Sequence, residues 1–216
     1  MDLETARTQM IGNQLRAWQV LDERVIEVMS TLPRERFVPP EWQGLAYADA
    51  EIPLGSGKRL APPKIQGRAL QALLPRPEET ALEIGSGTGY LTACLARLCA
   101  RVTGIEIRPE LAAAARRNLA SLDIDNVEIL EGDGLVMEFP TRFDVICVNG
   151  SLPEGDERLQ HRLTIGGRLF MVTGKPPVMQ ALRLTRMAEA EWTTEGVFET
   201  CIPPLENARQ TPEFVF

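Results

Sequence analysis

The sequence predicts an α/β fold: a doubly wound, mostly parallel sheet with an N-terminal helical lobe and a C-terminal antiparallel hairpin. Three observations carry this. Short apolar runs rich in β-branched residues alternate with segments of helical period from residue 81 onward; the first run ends in a glycine-rich turn; and the last two runs follow each other closely. Alternation of that kind argues for βαβ crossovers and a parallel sheet covered on both faces.

Taken in order, Leu3, Ile11, Leu15 and Trp18 recur at helical spacing, and Asp22 is placed to cap a second helix carrying Val25, Val28, Met29 and Leu32 before Pro33 stops it. The run 33–40 is broken by prolines, and 47–58 reads as a polar, glycine-bearing connection, so this region looks like a lobe laid over a site. Pro62-Pro63 opens a helix with Ile65, Ala69, Ala72 and Leu73 inward, ending before Pro75. Strands follow over 102–107, 127–130 and 143–148, with a helix from Pro109 that turns Leu111, Ala115, Leu119 and Leu122 inward. A polar stretch, 154–163, reads as helix. A further strand, 168–173, comes after Gly166-Gly167, and 180–187 with 192–202 reads most simply as an antiparallel edge hairpin, although 180–187 is compatible with helix.

Composition narrows the class. A chain of 216 residues with 44% hydrophobic and 25% charged residues is an ordinary globular protein, expected as one unit over 1–216, with 1–75 as a substrate lobe or lid and 76–216 as the ligand-binding core. The formal charge of -7 and the lack of any Lys/Arg run argue against a nucleic-acid partner. The first twenty residues hold no continuous apolar core and no stretch is long enough to span a bilayer, so a cytoplasmic, membrane-free monomer is expected. Cys94, Cys99, Cys147 and Cys201 form no C-x-x-C pair and His161 is the sole histidine, which gives reduced, buried thiols, a surface histidine and no metal as the expectation.

The chemistry concentrates in Ala81-Leu82-Glu83-Ile84-Gly85-Ser86-Gly87-Thr88-Gly89-Tyr90. Alternate glycines after a strand let the backbone turn tightly and approach a ligand, while the helix beginning at Tyr90 aims its N-terminus at the same place. The spacing is G-x-G-x-G rather than the G-x-G-x-x-G of dinucleotide sites. Glu83, two residues ahead of the first glycine, would repel a pyrophosphate but suits a cationic ligand. S-adenosylmethionine has an α-ammonium, a sulfonium and no phosphate. The pattern resembles the first motif of the class I S-adenosylmethionine-dependent methyltransferases, which share a Rossmann-like fold; a turn that merely redirects the chain is the alternative.

Other positions fall into line with that ligand. Glu106, followed by Ile107, ends the second strand where an open α/β sheet sets an acidic side chain against ribose hydroxyls. Asp133, between Gly132 and Gly134, can offer its carboxylate to an adenine amino group, or simply turn the chain. Asn149 sits at the carboxyl edge of the fourth strand, where it could line a pocket.

Over nearly its whole length the chain resembles the protein-L-isoaspartate (D-aspartate) O-methyltransferase family. The matching stretches are Arg34-Glu35-Arg36-Phe37-Val38-Pro39, Ala46-Tyr47-Ala48-Asp49, Ile52-Pro53-Leu54-Gly55, the glycine turn, Asn126-Val127, Gly132-Asp133-Gly134 and Gly166-Gly167-Arg168-Leu169. The resemblance implies an enzyme that esterifies the α-carboxylate of isoaspartyl residues in damaged proteins. It implies cofactor contacts at Gly85, Ser86, Gly87, Gly89, Glu106 and Asp133, and acceptor contacts around Pro53, Gly55, Arg59, Leu60 and Ala61. One departure stands out: the family's active-site serine is Ala61 here, and its threonine two residues earlier is Arg59, so no catalytic residue is assigned. Lys58 or Arg59 could hold a carboxylate instead. Three functions follow: the isoaspartyl enzyme, a methyltransferase of the same fold with another acceptor, and a non-catalytic S-adenosylmethionine binder.

Overall fold

In a computed structural model that describes residues 2–209, the chain opens with α1 (Leu3–Met10), capped by the Asp2 carboxylate, which accepts from the Glu4 and Thr5 amides. A wider π-helical turn, Ile11–Arg16, prolongs it. α2 (Glu23–Thr31) starts on Asp22 by the same device and buries Val25, Ile26, Val28 and Met29. The proline-rich stretch that follows is not wholly irregular: it holds two 3-10 turns, Arg34–Phe37 and Pro40–Leu45, short enough to fit between prolines.

The segment expected as a plain connection contains a two-stranded hairpin, β1 (Ile52–Gly55) and β2 (Lys58–Leu60), whose tip at Gly55, Ser56 and Gly57 has positive φ throughout. α3 (Pro63–Leu73) begins on a proline whose missing N–H would have been unpaired anyway. Then come β3 (Thr80–Ile84), α4 (Tyr90–Leu98), β4 (Arg101–Glu106), α5 (Pro109–Ala120), β5 (Val127–Glu131), β6 (Phe143–Ser151), α6 (Glu157–His161), β7 (Leu163–Lys175), β8 (Val178–Ala188) and β9 (Glu191–Thr200).

The seven-stranded sheet has the order β5-β4-β3-β6-β7-β8-β9. Its first five strands are parallel, and β8 and β9 add antiparallel at one edge. This is the predicted architecture, with three local differences. β6 runs through Asn149-Gly150 to Ser151 instead of ending before them. β7 begins at Leu163, and Gly166-Gly167 is taken up inside it where the register against β6 slips from Phe143↔Leu163 to Val145↔Arg168. The helix expected over 154–163 contracts to the five residues of α6. Residues 180–187 are strand, as the simpler of the two readings has it, fixed by pairing with β7 on one side and β9 on the other.

Alternation along the strands divides the core. Ala81, Val102, Ile129, Val145 and Phe170 face the helical layer, in one continuous cluster with Leu91 and Leu95 of α4, Ala112 and Ala115 of α5 and the lobe residues Met10, Val25, Met29 and Phe37. Leu82, Ile84, Ile105, Ile146 and Leu169 face the other way, onto Leu135, Leu152 and Leu159. The crossovers β3-α4-β4-α5-β5 run in one direction from β3 and the chain then returns to pair β6 on its other side, which is the double winding. Arg34 is fully buried and staples the lobe: it donates to the Ala46 carbonyl at 2.7 Å, the Ala61 carbonyl at 2.6 Å and the Gln66 side-chain oxygen, with its plane over the Tyr90 ring. Three of the cysteines are buried as expected; Cys201 is exposed, because it follows the edge strand onto the surface. His161 is exposed and stands edge-on to Trp192.

Candidate active site

Winding out from β3 in both directions parts the connections at the carboxyl ends of β3 and β6, and a crevice opens there. Its floor is the glycine turn. The Gly85 and Ser86 amides both donate to the Ile105 carbonyl, at 2.9 and 3.0 Å, which folds the turn over the end of β4. Gly85 has φ +87°, and a Cβ there would sit 3.1 Å from the Asn149 carbonyl oxygen, so only glycine leaves this approach open. The Glu106 carboxylate, 4% exposed, accepts from the Gly87 amide at 2.7 Å and from the Arg108 amide at 3.0 Å, and borders the crevice.

The lobe supplies the facing wall. Leu54, Gly57 and residues 58–61 of the hairpin line it, and α3 adds Ile65, Gln66 and Ala69. Contacts fasten this wall to the core: Thr88 donates to the Phe37 carbonyl at 2.6 Å, and Ser56 donates to the Glu110 carboxylate. The two cations expected to be available for a carboxylate have partners already. Lys58 pairs with Glu206 at 3.2 Å and Arg59 with Glu51 at 3.8 Å.

A second recess adjoins the first, lined by Ile84, Ile105 and 132–135, and shares Gly85, Ile107, Leu205 and Glu206 with it. The segment 202–207 therefore lies along the seam between two halves of one crevice. It is held by paired backbone bonds, Ser151 amide to the Pro203 carbonyl and Leu205 amide to the Ser151 carbonyl, both at 3.0 Å. Glu206 also pairs with Arg108 at 2.8 Å, and Asn207 donates to Asp133 at 2.9 Å. The other Asp133 oxygen accepts from the Leu135 amide at 2.9 Å.

Of the expected ligand-side residues, Gly85, Ser86, Gly87, Glu106, Ile107 and Asn149 border the larger half of the crevice, and Gly132, Asp133 and Gly134 border the smaller. Arg59, Leu60 and Ala61 are on the lobe wall. Five do not line either half. Glu83 lies wholly buried beneath the floor, on the helical side of β3, where Thr92 donates to one oxygen and Asn149 approaches the other at 3.4 Å. Burial pushes its carboxyl up to about 8, the nearby Glu106 charge adds to this, and the Thr92 and Asn149 bonds oppose it. Gly89 points into the interior, against Ala115, and Tyr90 is fully buried against Phe37. The turn passes from crevice to core within two residues. In the hairpin it is Leu54, not Pro53 or Gly55, that lines the wall, because side chains alternate. Gln66, Cys147, Phe170 and the segment 202–206 are lining residues that motif spacing missed.

The arrangement can hold an adenosine-bearing cation. A carboxylate stands at the end of β4 for vicinal hydroxyls, a second carboxylate borders the smaller recess beside it, and backbone of the glycine turn is open to close approach.

Comparison with known proteins agrees with this geometry. Residues 5–208 match the family model described as protein-L-isoaspartate(D-aspartate) O-methyltransferase. The chain is 41% identical over 181 residues to protein-L-isoaspartate O-methyltransferase 2 of Anaeromyxobacter sp., covering 83% of this chain and 74% of that one. It is 40% identical to the protein-L-isoaspartate O-methyltransferase of Magnetococcus marinus, over 92% of this chain and 86% of its relative. Among solved structures, a Plasmodium falciparum protein in complex with S-adenosyl-L-homocysteine superposes with a TM-score of 0.81 at 22% identity, covering 93% of this chain and 98% of that one, which speaks for the fold.

Proposed function

The chain belongs to the protein-L-isoaspartate(D-aspartate) O-methyltransferase family, and from that premise we propose that it transfers a methyl group from S-adenosylmethionine to the α-carboxylate of isoaspartyl residues in damaged proteins. The observation that carries the reading is the crevice itself, with the Gly85–Gly87 turn and Glu106 on one side and the lobe hairpin with α3 on the other.

The residues fit the cofactor. Glu106 keeps lone pairs beyond those used by the Gly87 and Arg108 amides, enough to accept from two ribose hydroxyls. Asp133 borders the recess for the adenine, and Gly85, Ser86 and Gly87 would lie along the amino-acid portion with Asn149 and Ile107 beside them. Glu83 acts at one remove, by orienting Asn149. When bound, S-adenosylmethionine supplies a sulfonium methyl whose C–S electron pair returns to sulfur as a carboxylate oxygen takes the carbon.

The chain's own residues have a modest task. A peptide carboxyl with a pKa of about 4 is ionised at neutral pH, so no general base is required. What remains is alignment and exclusion of water. Of the lobe 1–75 and the cofactor-binding core 76–216, residue 1 and residues 210–216 lie outside the described residues; the lobe covers the acceptor, with Leu54, Arg59, Leu60 and Ala61 forming the wall and Pro53 and Gly55 setting the shape of the hairpin behind it. The protein works as a cytoplasmic monomer on protein or peptide substrates, without nucleic acid or membrane; the net charge of -7 supports the former, and no helix among the described residues is long and apolar enough to cross a bilayer.

Ala61 favours one second reading, a different acceptor, since its side chain donates nothing to a carboxylate. Labelled methyl transfer to an isoaspartyl peptide and to its aspartyl twin separates the two. Base-labile label on the isoaspartyl peptide alone is the expected result; cofactor binding without transfer to either peptide would move the assignment to another acceptor.

A further inference from the structure

We infer that the side-chain amide of Gln66 is the donor that receives the acceptor carboxylate. The inference rests on the isoaspartyl reading above and adds to it the group that does the gripping. The inward face of α3 is apolar at Ile65, Ala69, Leu70 and Leu73, yet Gln66, 1% exposed, lies on that face and lines the crevice. A long amide is placed there against the hydrophobic pattern of its own helix.

Its orientation is fixed by chemistry. Arg34 donates to the Gln66 side-chain oxygen, and a guanidinium has donors only, so the oxygen end faces Arg34 and the NH2 end is turned away from it. That Nε2 has no hydrogen-bond partner among the described residues. Buried donors without partners are rare in folded proteins, and one that borders a binding crevice is placed to meet a ligand oxygen.

The other side-chain donors on the same side differ in kind. Lys58 and Arg59 carry charge pairs to Glu206 and Glu51 on partly exposed side chains, Asn149 spends its amide on the Gly85 carbonyl and Glu83, and Ala61 has no donor. Of the side chains lining the crevice, Gln66 alone contributes a buried nitrogen without a partner among the described residues. Arg34 also holds the Ala61 carbonyl at 2.6 Å, so the donor and the wall beside it are positioned by one guanidinium. Sealing the amide from bulk water strengthens a bond to a charged oxygen.

The test is Gln66→Glu with Gln66→Met beside it. Gln66→Glu keeps an oxygen for Arg34 while removing the NH2; Gln66→Met removes the donor without adding charge. For both, KM for an isoaspartyl peptide, and its affinity in the presence of S-adenosylhomocysteine, should worsen by about ten- to a hundredfold, with S-adenosylhomocysteine affinity and melting temperature of Gln66→Glu near wild type. Adding Ala61→Ser to Gln66→Met should recover part of the loss, since it restores a donor on the same wall. Unchanged peptide affinity in both single variants would overturn the role of Gln66 and leave the isoaspartyl function standing. Wild-type protein that binds S-adenosylhomocysteine but neither binds nor methylates the isoaspartyl peptide would overturn the function, and this role with it.

Discussion

The Gly87 amide donates to the Glu106 carboxylate at 2.7 Å, so the turn after β3 and the end of β4 are fastened together. The geometry of the turn thus depends on a side chain from the neighbouring strand.

Glu106→Ala removes both the fastening and the acceptor for the ribose hydroxyls. Affinity for S-adenosylhomocysteine should fall by about ten- to a hundredfold, since a hydrogen bond to a charged group is worth about 1.5–3 kcal/mol. Titration calorimetry checks this; unchanged affinity would show that Glu106 does not hold the ribose.

Gly89→Ala should destabilise the fold. Gly89 has φ +93° at the start of α4, and a Cβ there would lie 3.2 Å from the Ala115 Cβ and 3.3 Å from its Cα. Strain of this kind costs about 1–3 kcal/mol. Urea unfolding should show a lower midpoint at unchanged m-value.

Glu83 makes stability depend on pH. Its carboxyl is raised from 4.5 to about 8 in the folded protein, so between those values the folded state holds a proton that the unfolded state has released. Its contribution is fully present below about 4.5 and is lost as pH rises through about 8. Glu83→Gln should flatten the fall in unfolding free energy over that window. An identical slope in wild type and variant, measured by denaturant titration at several pH values, would exclude the assignment.

Leu205→Ala should loosen the seam of the crevice. The Leu205 side chain packs onto Gly85 and Gly150, where added Cβ atoms would lie 3.1 and 2.7 Å from its Cδ2. Loss of about 1–2 kcal/mol of packing predicts S-adenosylhomocysteine leaving about five- to thirtyfold faster in stopped flow.

How much of this could be read from the chain depends on distance along it. The strand, turn and helix around Gly85 are legible because a contiguous stretch of about ten residues specifies them, and Glu106 and Asp133 follow from where strands end. Gly89 and Tyr90 mislead for the opposite reason: adjacency to Gly87 in sequence does not survive the turn, which sends them into the core against Ala115 and Phe37. Glu83 misleads through the strand period, since its side chain leaves β3 on the helical side. The hairpin at Ile52–Leu60 is hidden by its short strands and by Pro53, which weakens any strand signal. Gln66 does leave a trace, a polar residue three and seven positions before the buried Ala69 and Leu73. Leu205 to Asn207 leave none, because what they touch, Gly85, Arg108 and Asp133, lies far back in the chain.

That last contact sets a condition on synthesis. Residues 85, 106 and 133 are made long before 205–207, yet the seam between the two halves of the crevice is covered only by the later segment. A nascent chain can therefore assemble its sheet through β6 and still lack a finished crevice. The crevice is therefore completed only by residues that come after every strand of the sheet.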